Sequence, residues 1–512
     1  MKKFVILSLI GLLIMAFGIT AYAQEKAPVL EFKASGFLDV ISEYIRNVPQ
    51  PGAATSAAGG TSTNDVQFGP PAAYMLPAAR QAFDQKMAYM ESRGRLRFDA
   101  MMGKEVTGTF FFEFDSTRWG ERVPAGSTAQ RNYSGFWGVA DRSSLELKNM
   151  FITFAVPYFG LPVPMTVQAG IHPLVIRPGV FLATDGPGIT LAAKVDPVNI
   201  KLAWFKALEN RDWAADDIDL YALEASAKIS TFTVGGYLVD FNANTYPLGD
   251  GDPNYSSNIW WFGAYADAQA GPLNLNLDLI FDKGSVKDRR NLAQARDVKY
   301  SGWGARANVF LPWEKFTFGF ASIYGSGADQ KKTSANGLPG AVVANDPSGL
   351  GVTSSRAGAY IVPAGTEGSV GDSLIFCGNG INRMNTGFLP AAATAHARAA
   401  FGGLWINKIY ASVKATPSFK TTLEAMYIAD TTKNGNTIGT ARKATGFPRN
   451  DSDIGWEFDL INELQIYKSL SFLFGGGVLF AGDAMDYFNT TTGLNDSPKT
   501  PWVITTKLIY AF

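Results

Sequence analysis

The sequence predicts an all-β protein, a transmembrane antiparallel β-barrel of roughly 18 strands within a range of about 16–18. Three observations lead to this fold class. Segments of about ten residues alternate apolar and polar side chains. The connections between these segments alternate between short and long. The last strand carries aromatic residues at both ends of one apolar face, as strands of membrane barrels do.

The alternation is clearest in two segments. In 273–279, four leucines lie on one face of the predicted strand, whereas two asparagines and Asp278 lie on the other. In 88–102, small or apolar residues share one face, and Arg93, Arg95 and Arg97 share the opposite face. Three guanidinium groups cannot point into a dry core. We therefore expect this face to meet water and the apolar face to meet lipid.

The connections predict how the barrel is oriented. Short turns such as Gly103-Lys104, Gly271-Pro272 and Leu311-Pro312 alternate with polar, glycine-rich stretches, of which 47–84 and 325–398 are long. Outer-membrane barrels have short periplasmic turns and long extracellular loops. Both termini are therefore expected in the periplasm, with an even number of strands. We expect the longest loop, 325–398, to fold partly into the lumen, since long loops of this kind are usually functional or disordered.

The first 23 residues have the pattern of a secretory signal peptide. Lys2 and Lys3 precede an apolar stretch, which ends at the small-x-small site Ala21-Tyr22-Ala23. The mature chain is expected to begin near Gln24 and to form a single barrel domain over 24–512. Beyond the signal, no stretch approaches the roughly 20 apolar residues of a membrane-spanning helix. The expected location is the bacterial outer membrane.

Composition and motifs argue against several other classes of protein. The chain has 45 basic and 45 acidic residues, which gives no reason to expect nucleic-acid binding. The single cysteine, Cys377, excludes an internal disulfide framework. The two histidines, His172 and His396, belong to no recognisable catalytic motif, and no metal-ligand or haem-attachment spacing is present. We therefore expect no enzyme activity, no cofactor and no metal.

The final strand and several internal stretches resemble known outer-membrane proteins. A chain ending with Tyr510 and Phe512 resembles the C-terminal signal that the barrel-assembly machinery reads in Gram-negative outer-membrane proteins. The stretches 454–460, 467–470 and 480–483 resemble the closing strands of alginate-export-like porins. The stretch 93–98, followed by 110–115, is similar to an early hairpin of porins generally. These resemblances imply a porin-like barrel and do not identify a solute.

Side chains on the lumen faces would determine what passes, because their charges and hydrogen-bonding groups replace part of a solute's hydration. The alternation places basic and acidic residues on these faces, and the candidates for selectivity are Arg93, Arg95, Arg97, Lys148, Arg306, Lys408, Lys414, Glu113, Asp115, Glu457 and Asp459. We call Arg93, Arg95 and Arg97 the arginine ladder. Two interpretations of it are open: a transverse field facing acids across the pore, or pairing with Glu113 and Asp115 on the neighbouring strand. Arg177 lies either in the narrow zone or in an exposed loop.

The expected function is the passage of small polar or charged solutes through an outer-membrane channel. One alternative is a barrel that acts as a sheath or scaffold for a threaded partner protein, as in an electron conduit. Another is a polysaccharide exporter. The expected partners are outer-membrane lipid, the barrel-assembly machinery and small polar solutes, and the barrel could assemble as a homotrimer.

Overall fold

A computed structural model of the chain describes residues 29–48, 85–119, 145–157, 163–245, 255–289, 298–329, 356–363, 365–366, 373–377, 401–489 and 492–512. The predicted signal peptide and most of the first long loop lie outside these residues. The strands are β1 (Leu30–Val48), β2 (Gln85–Met102), β3 (Val106–Arg118), β4 (Leu145–Ala155), β5 (Met165–Ile176), β6 (Leu182–Val195), β7 (Val198–Leu208), β8 (Ile218–Ile229), β9 (Phe232–Ala243), β10 (Tyr255–Ala270), β11 (Leu273–Asp288), β12 (Val298–Tyr300), β13 (Trp303–Trp313), β14 (Phe316–Gly325), β15 (Arg356–Ala357), β16 (Leu404–Thr416), β17 (Phe419–Asp430), β18 (Asp453–Tyr467), β19 (Leu470–Ala481), β20 (Tyr487–Asn489), β21 (Leu494–Asp496) and β22 (Trp502–Ala511). A short 3-10 turn spans Asp483–Met485.

Eighteen of these strands close into one antiparallel barrel, which confirms the predicted fold class. Each strand pairs with its neighbours along the chain, and β22 pairs with β1 to close the ring. Closure gives every described wall strand a partner on each side, so that none of them is left as an edge strand. The four short strands are not part of the closed wall. Of these, β12 pairs with β11 and β15, and β20 pairs with β21. Within the described ranges, no helix is long and apolar enough to cross a bilayer.

Short turns occupy one end of the barrel, as the sequence predicted. Two-residue turns at 196–197, 230–231, 271–272, 314–315, 417–418 and 468–469 join strands at the end that also holds both termini of the barrel. One predicted turn was wrong: Leu311 and Pro312 lie inside β13, and the chain reverses at Glu314 and Lys315 instead. Glu314 has a left-handed backbone with φ of 51°, which a tight hairpin turn uses.

The outer surface of the wall is apolar. Along β18, Trp456, Phe458 and Leu460 are exposed, whereas the residues between them are buried. On β22, Ile504, Leu508 and Tyr510 are exposed in the same alternating pattern. An exposed apolar face repeated around a closed barrel is the lipid-facing surface of an outer-membrane barrel.

Tryptophans and tyrosines form a belt on this surface near the loop ends of the strands. Neighbouring members pack together: Tyr44 and Trp502 have ring centroids 5.2 Å apart, and Tyr427 and Trp456 are 5.0 Å apart. The outer aromatic belt, placed by strand register and alternation, consists of Tyr44, Trp204, Tyr221, Trp260, Trp303, Tyr324, Trp405, Tyr427, Trp456 and Trp502. Such girdles lie at the membrane–water interface.

Candidate functional site

The arginine ladder lies on the lumen face of β2, because Met90 and Phe98 take the exposed outer face of the same strand. Arg93 forms an ion pair with Glu113 at 3.1 Å, and Arg95 donates a hydrogen bond to the same carboxylate at 2.9 Å. Cross-strand pairing with Glu113 is therefore present. Two arginines share one glutamate, so this group of three keeps a net charge of one positive unit.

The arginine ladder makes two further contacts, one with Asp99 and one with Phe37. Arg97 contacts Asp99 on its own strand at 2.9 Å. The guanidinium of Arg95 lies 5.8 Å from the ring centroid of Phe37, within the range of a cation–π contact. The side chain of Asp115, which was predicted to pair with the ladder, lies outside the described part of the chain.

Lys148 on β4 connects the ladder to a second feature of the lumen. Its amino group lies 2.6 Å from Asp185 and 3.9 Å from Glu113. Asp185 belongs to the inward hairpin, which we define as residues 172–186. The pairing of β4 with β5 ends at Ile171, and that of β6 with β7 begins at Gly188. Between these points, β5 and β6 pair only with each other, so the hairpin leaves the wall.

The tip of the inward hairpin packs inside the barrel. Val180, Phe181 and Leu182 are completely buried. The ring of Phe181 stacks on Tyr237 of β9 at 4.7 Å, and Tyr237 faces the lumen. The backbone departs from the wall at Gly170, whose φ of 128° is accessible to glycine, and a Cβ there would collide with the carbonyl of Met150.

Arg177 at this tip reaches two other strands of the wall, β10 and β11. Its guanidinium donates to Asp278 of β11, with Nη2 3.0 Å from the carboxylate, and to Asp267 of β10 at 2.8 Å through Nη1. It also lies 4.4 Å from the ring centroid of Tyr265. The Nε of Arg306 on β13 donates to the same carboxylate oxygen of Asp278, Oδ2, at 3.0 Å. Two arginines thus meet two aspartates, and Arg177 lies in the lumen and not in an exposed loop.

Two short stretches of the longest loop, 360–363 and 373–377, also lie inside the barrel. Tyr360, Val362 and Phe376 are buried among lumen-facing residues. Trp261 of β10 donates to the carbonyl of Ile361 at 2.8 Å. The described residues 360–363 and 373–377 therefore follow the expectation of a partly inward loop.

Glu457 and Asp459 lie on the lumen face of β18, but they do not border open space as predicted. Both are buried, with 1% and 2% of their surface exposed. The backbone N–H groups of Ile375 and Phe376 donate to Glu457 at 2.7 and 2.8 Å, and Leu374 donates to Asp459 at 3.0 Å. The two carboxylates therefore anchor the loop. We call residues 373–377 with Glu457 and Asp459 the loop latch.

The remaining candidates occupy different depths. Lys408 of β16 is almost buried, donates to Glu424 at 3.1 Å and lies 5.7 Å from the ring centroid of Tyr410. Lys414 belongs to the same lumen-facing set by alternation, but it lies near the periplasmic end of β16 and is exposed. Lys408 is thus a member of a paired network, and Lys414 borders the periplasmic mouth.

The sequence-based prediction did not include several residues of the site. Asp267 and Tyr265 follow the same two-residue alternation that identified Asp278, so the pattern could have indicated them. Asp185 could not be predicted, because the hairpin bends away from the wall. His172 is fully buried and contacts Thr190 at 2.9 Å, which gives it a packing role. Within the described ranges, no group of three or more His, Cys, Asp or Glu is placed to hold a metal ion, and His396 lies outside these ranges.

Comparison with known proteins gave matches only among solved structures. No protein-family model matches the chain, and no curated protein does. OpdK, an outer-membrane protein of Pseudomonas aeruginosa, is 9% identical with a TM-score of 0.46, and the match covers 94% of this chain and 99% of that one. OccK9 (OpdG) of the same species is 10% identical with a TM-score of 0.48, covering 94% and 98%. OccAB4 of Acinetobacter baumannii is 10% identical with a TM-score of 0.46, covering 95% and 99%. A similarity this distant does not identify a solute.

Proposed function

We propose that this protein is an outer-membrane channel of Gram-negative bacteria for small polar or charged solutes. The observation that carries the proposal is the contrast between the two faces of the wall. The outer face is apolar and exposed, whereas the lumen face carries charged groups on many strands, including Arg95, Lys148, Arg306 and Lys408. Barrels of 16–18 strands are wide enough to leave an aqueous channel.

The inward segments support passage of small solutes over the sheath interpretation. A sheath for a threaded partner needs an open lumen along its length. Here the inward hairpin and the loop latch occupy part of the lumen, and Phe181, Tyr360 and Phe376 pack there with almost no exposed surface. Displacing these side chains would expose apolar surface at a cost of about 1.5–3 kcal/mol each.

The inward hairpin and the loop latch also argue against export of a polysaccharide chain, the alternative suggested by the alginate-export-like resemblance. A polymer must occupy the whole length of the passage at once, whereas a small solute can follow an indirect route around the hairpin. We therefore propose the passage of small solutes. Polymer export would have to be demonstrated by a permeation experiment.

Two further proposals concern assembly. Tyr510 and Phe512 stack on the outer face with centroids 5.5 Å apart, and the backbone of Phe512 exchanges hydrogen bonds with Gly36 of β1 at 2.9 and 3.0 Å. The terminal residue thus takes part in closing the barrel, which supports its proposed role as the signal for the assembly machinery. The second proposal is that the barrel assembles as a homotrimer.

Planar-bilayer recording and liposome swelling test the proposed function together. The purified full-length barrel should conduct ions in discrete steps and admit amino acids and monosaccharides into liposomes, while excluding long oligosaccharides. A barrel that conducts nothing would overturn passive diffusion and favour the sheath. Permeation of long oligosaccharides at a rate close to that of monosaccharides would favour the exporter.

A further inference from the structure

Two cations face each other on the outer surface of the wall where β1 meets β2. Arg46 of β1 and Lys86 of β2 are directly opposite in the register, and both are exposed. They belong to the outer face, because Leu38 and Met90 on the same alternating sets are exposed there, whereas Ile45 is buried inside. Side chains directly opposite in antiparallel strands have Cβ atoms about 5 Å apart, and like charges in such pairs are destabilising.

The pair lies immediately beyond the outer aromatic belt. Arg46 is opposite Trp502 of β22 and two residues beyond Tyr44, about 7 Å further toward the loop end of the strand. The side chain of Asn47 donates to the carbonyl of Thr500 at 2.7 Å, which ties the end of β1 to the start of β22. The cations are thus held at the level of lipid head groups, which lie just outside the hydrocarbon core.

Another cation near the belt shows the contrast. Lys206 of β7 lies beyond Trp204 on the outer face and contacts Asp217 at 3.0 Å and Asp219 at 3.2 Å. Within the described part of the chain, no carboxylate forms an ion pair with Arg46 or Lys86. The β1–β2 junction therefore presents two positive charges to which the described part of the chain supplies no carboxylate.

We propose that Arg46, Lys86 and the neighbouring Trp502 form a binding site for the phosphorylated head group of an outer-leaflet lipid. Arg46 can bind a phosphate through two parallel hydrogen bonds, and Lys86 adds a compact charge. The rings of Trp502 and Tyr44 provide an amphipathic surface against which the first part of an acyl chain packs. This site is independent of transport through the lumen.

Native mass spectrometry of the full-length barrel in detergent micelles tests the site, with lipid A as the probe. The double variant Arg46→Gln/Lys86→Gln should bind lipid A about 30-fold more weakly, since each basic residue near such a surface contributes roughly fivefold. The matched control Lys104→Gln/Lys194→Gln removes two exposed cations at the periplasmic end of the barrel, one in the turn after β2 and one near the end of β6, and should leave binding unchanged. Heat-modifiable migration in gels confirms that each variant is folded.

Two further arms separate the possible sources of the anion. Dephosphorylated lipid A should bind the wild-type barrel as weakly as lipid A binds the double variant. Equal binding of both lipids, or unchanged lipid A binding by the double variant, would overturn the proposal. Full displacement of lipid A by millimolar inorganic phosphate would indicate a site for soluble phosphate. A change of oligomeric mass without a change in lipid binding would indicate a contact between copies, and both results would also overturn it.

Discussion

The loop latch gives the sharpest test of how the lumen is organised. Replacing Glu457 by alanine would leave the backbone N–H groups of Ile375 and Phe376 buried without an acceptor, since both now donate to its carboxylate at 2.7 and 2.8 Å. A buried donor without a partner costs about 1–3 kcal/mol, so the two together cost about 2–6 kcal/mol. The ratio of displaced to inward loop should therefore rise at least about 30-fold, since each 1.4 kcal/mol is tenfold.

The apolar contacts of the same segment decide which assay is suitable. The side chains of Leu374, Ile375 and Phe376 are buried, and each contributes roughly 1.5–3 kcal/mol to the inward position before the entropy of ordering the loop is subtracted. Their sum, about 4.5–9 kcal/mol, exceeds the loss of about 2–6 kcal/mol expected in Glu457→Ala. The loop should therefore remain mostly inward, and a measurement of rare displacement is more informative than mean conductance.

Cys377 provides that measurement, because it is the only cysteine of the chain and lies buried at the end of the latch. Labelling of its thiol by a water-soluble maleimide should be about 30-fold faster or more in Glu457→Ala than in the wild type. Glu457→Gln keeps one acceptor oxygen and should give a smaller increase. A rate within twofold of the wild type for folded Glu457→Ala would refute the argument.

Glu463→Gln is a matched control on the same strand. Glu463 pairs with Lys420 at 2.6 Å, and both side chains are more than 40% exposed. It lies six residues from Glu457, which corresponds to about 20 Å along the strand. Exposed ion pairs contribute about 0–1 kcal/mol, and this one makes no hydrogen bond to the described residues 373–377. Its labelling rate should equal that of the wild type.

Three other predictions follow from the site. Replacing the whole arginine ladder by glutamine should move reversal potentials under a salt gradient toward cation preference, because three positive charges are lost and, within the described chain, Glu113 keeps only Lys148 as a nearby cation. The shift should shrink in concentrated salt, and an unchanged potential at low salt would mean that solutes do not pass the ladder. Arg177→Gln should destabilise the inward hairpin by about 3–5 kcal/mol, and this loss is reduced because Asp278 still pairs with Arg306. Protease cleavage at the tip of the hairpin should therefore increase, and unchanged cleavage would contradict this. Phe512→Asp should lower the amount of folded barrel in the outer membrane, and an undiminished heat-modifiable band would count against it.

The wall of the barrel could be predicted from the sequence, whereas the contents of the lumen could not. Alternation is a local property, so it placed Arg95 and Asp278 on the lumen face without knowledge of their partners. The contacts that fill the lumen are remote in sequence: Arg177 binds a residue 101 positions away, and Ile375 binds one 82 positions away. A periodic pattern carries no information on such pairs, which is why Glu457 was predicted to line the pore and instead anchors a loop.

The lumen faces also carry a second pattern, which runs along the barrel axis. On β11, Ile280 is buried on the loop side of Asp278, and on β16, Ile406 is buried on the loop side of Lys408. On these two strands an apolar lumen residue thus lies on the loop side of a charged one, and on β11 the buried Asp282 follows further toward the loop. The inward hairpin and the loop latch dock against apolar lumen residues because burial there stabilises them by roughly 25 cal/mol per Å². We propose that the inward segments limit the access of solutes from the loop side and that the charged lumen residues determine selectivity.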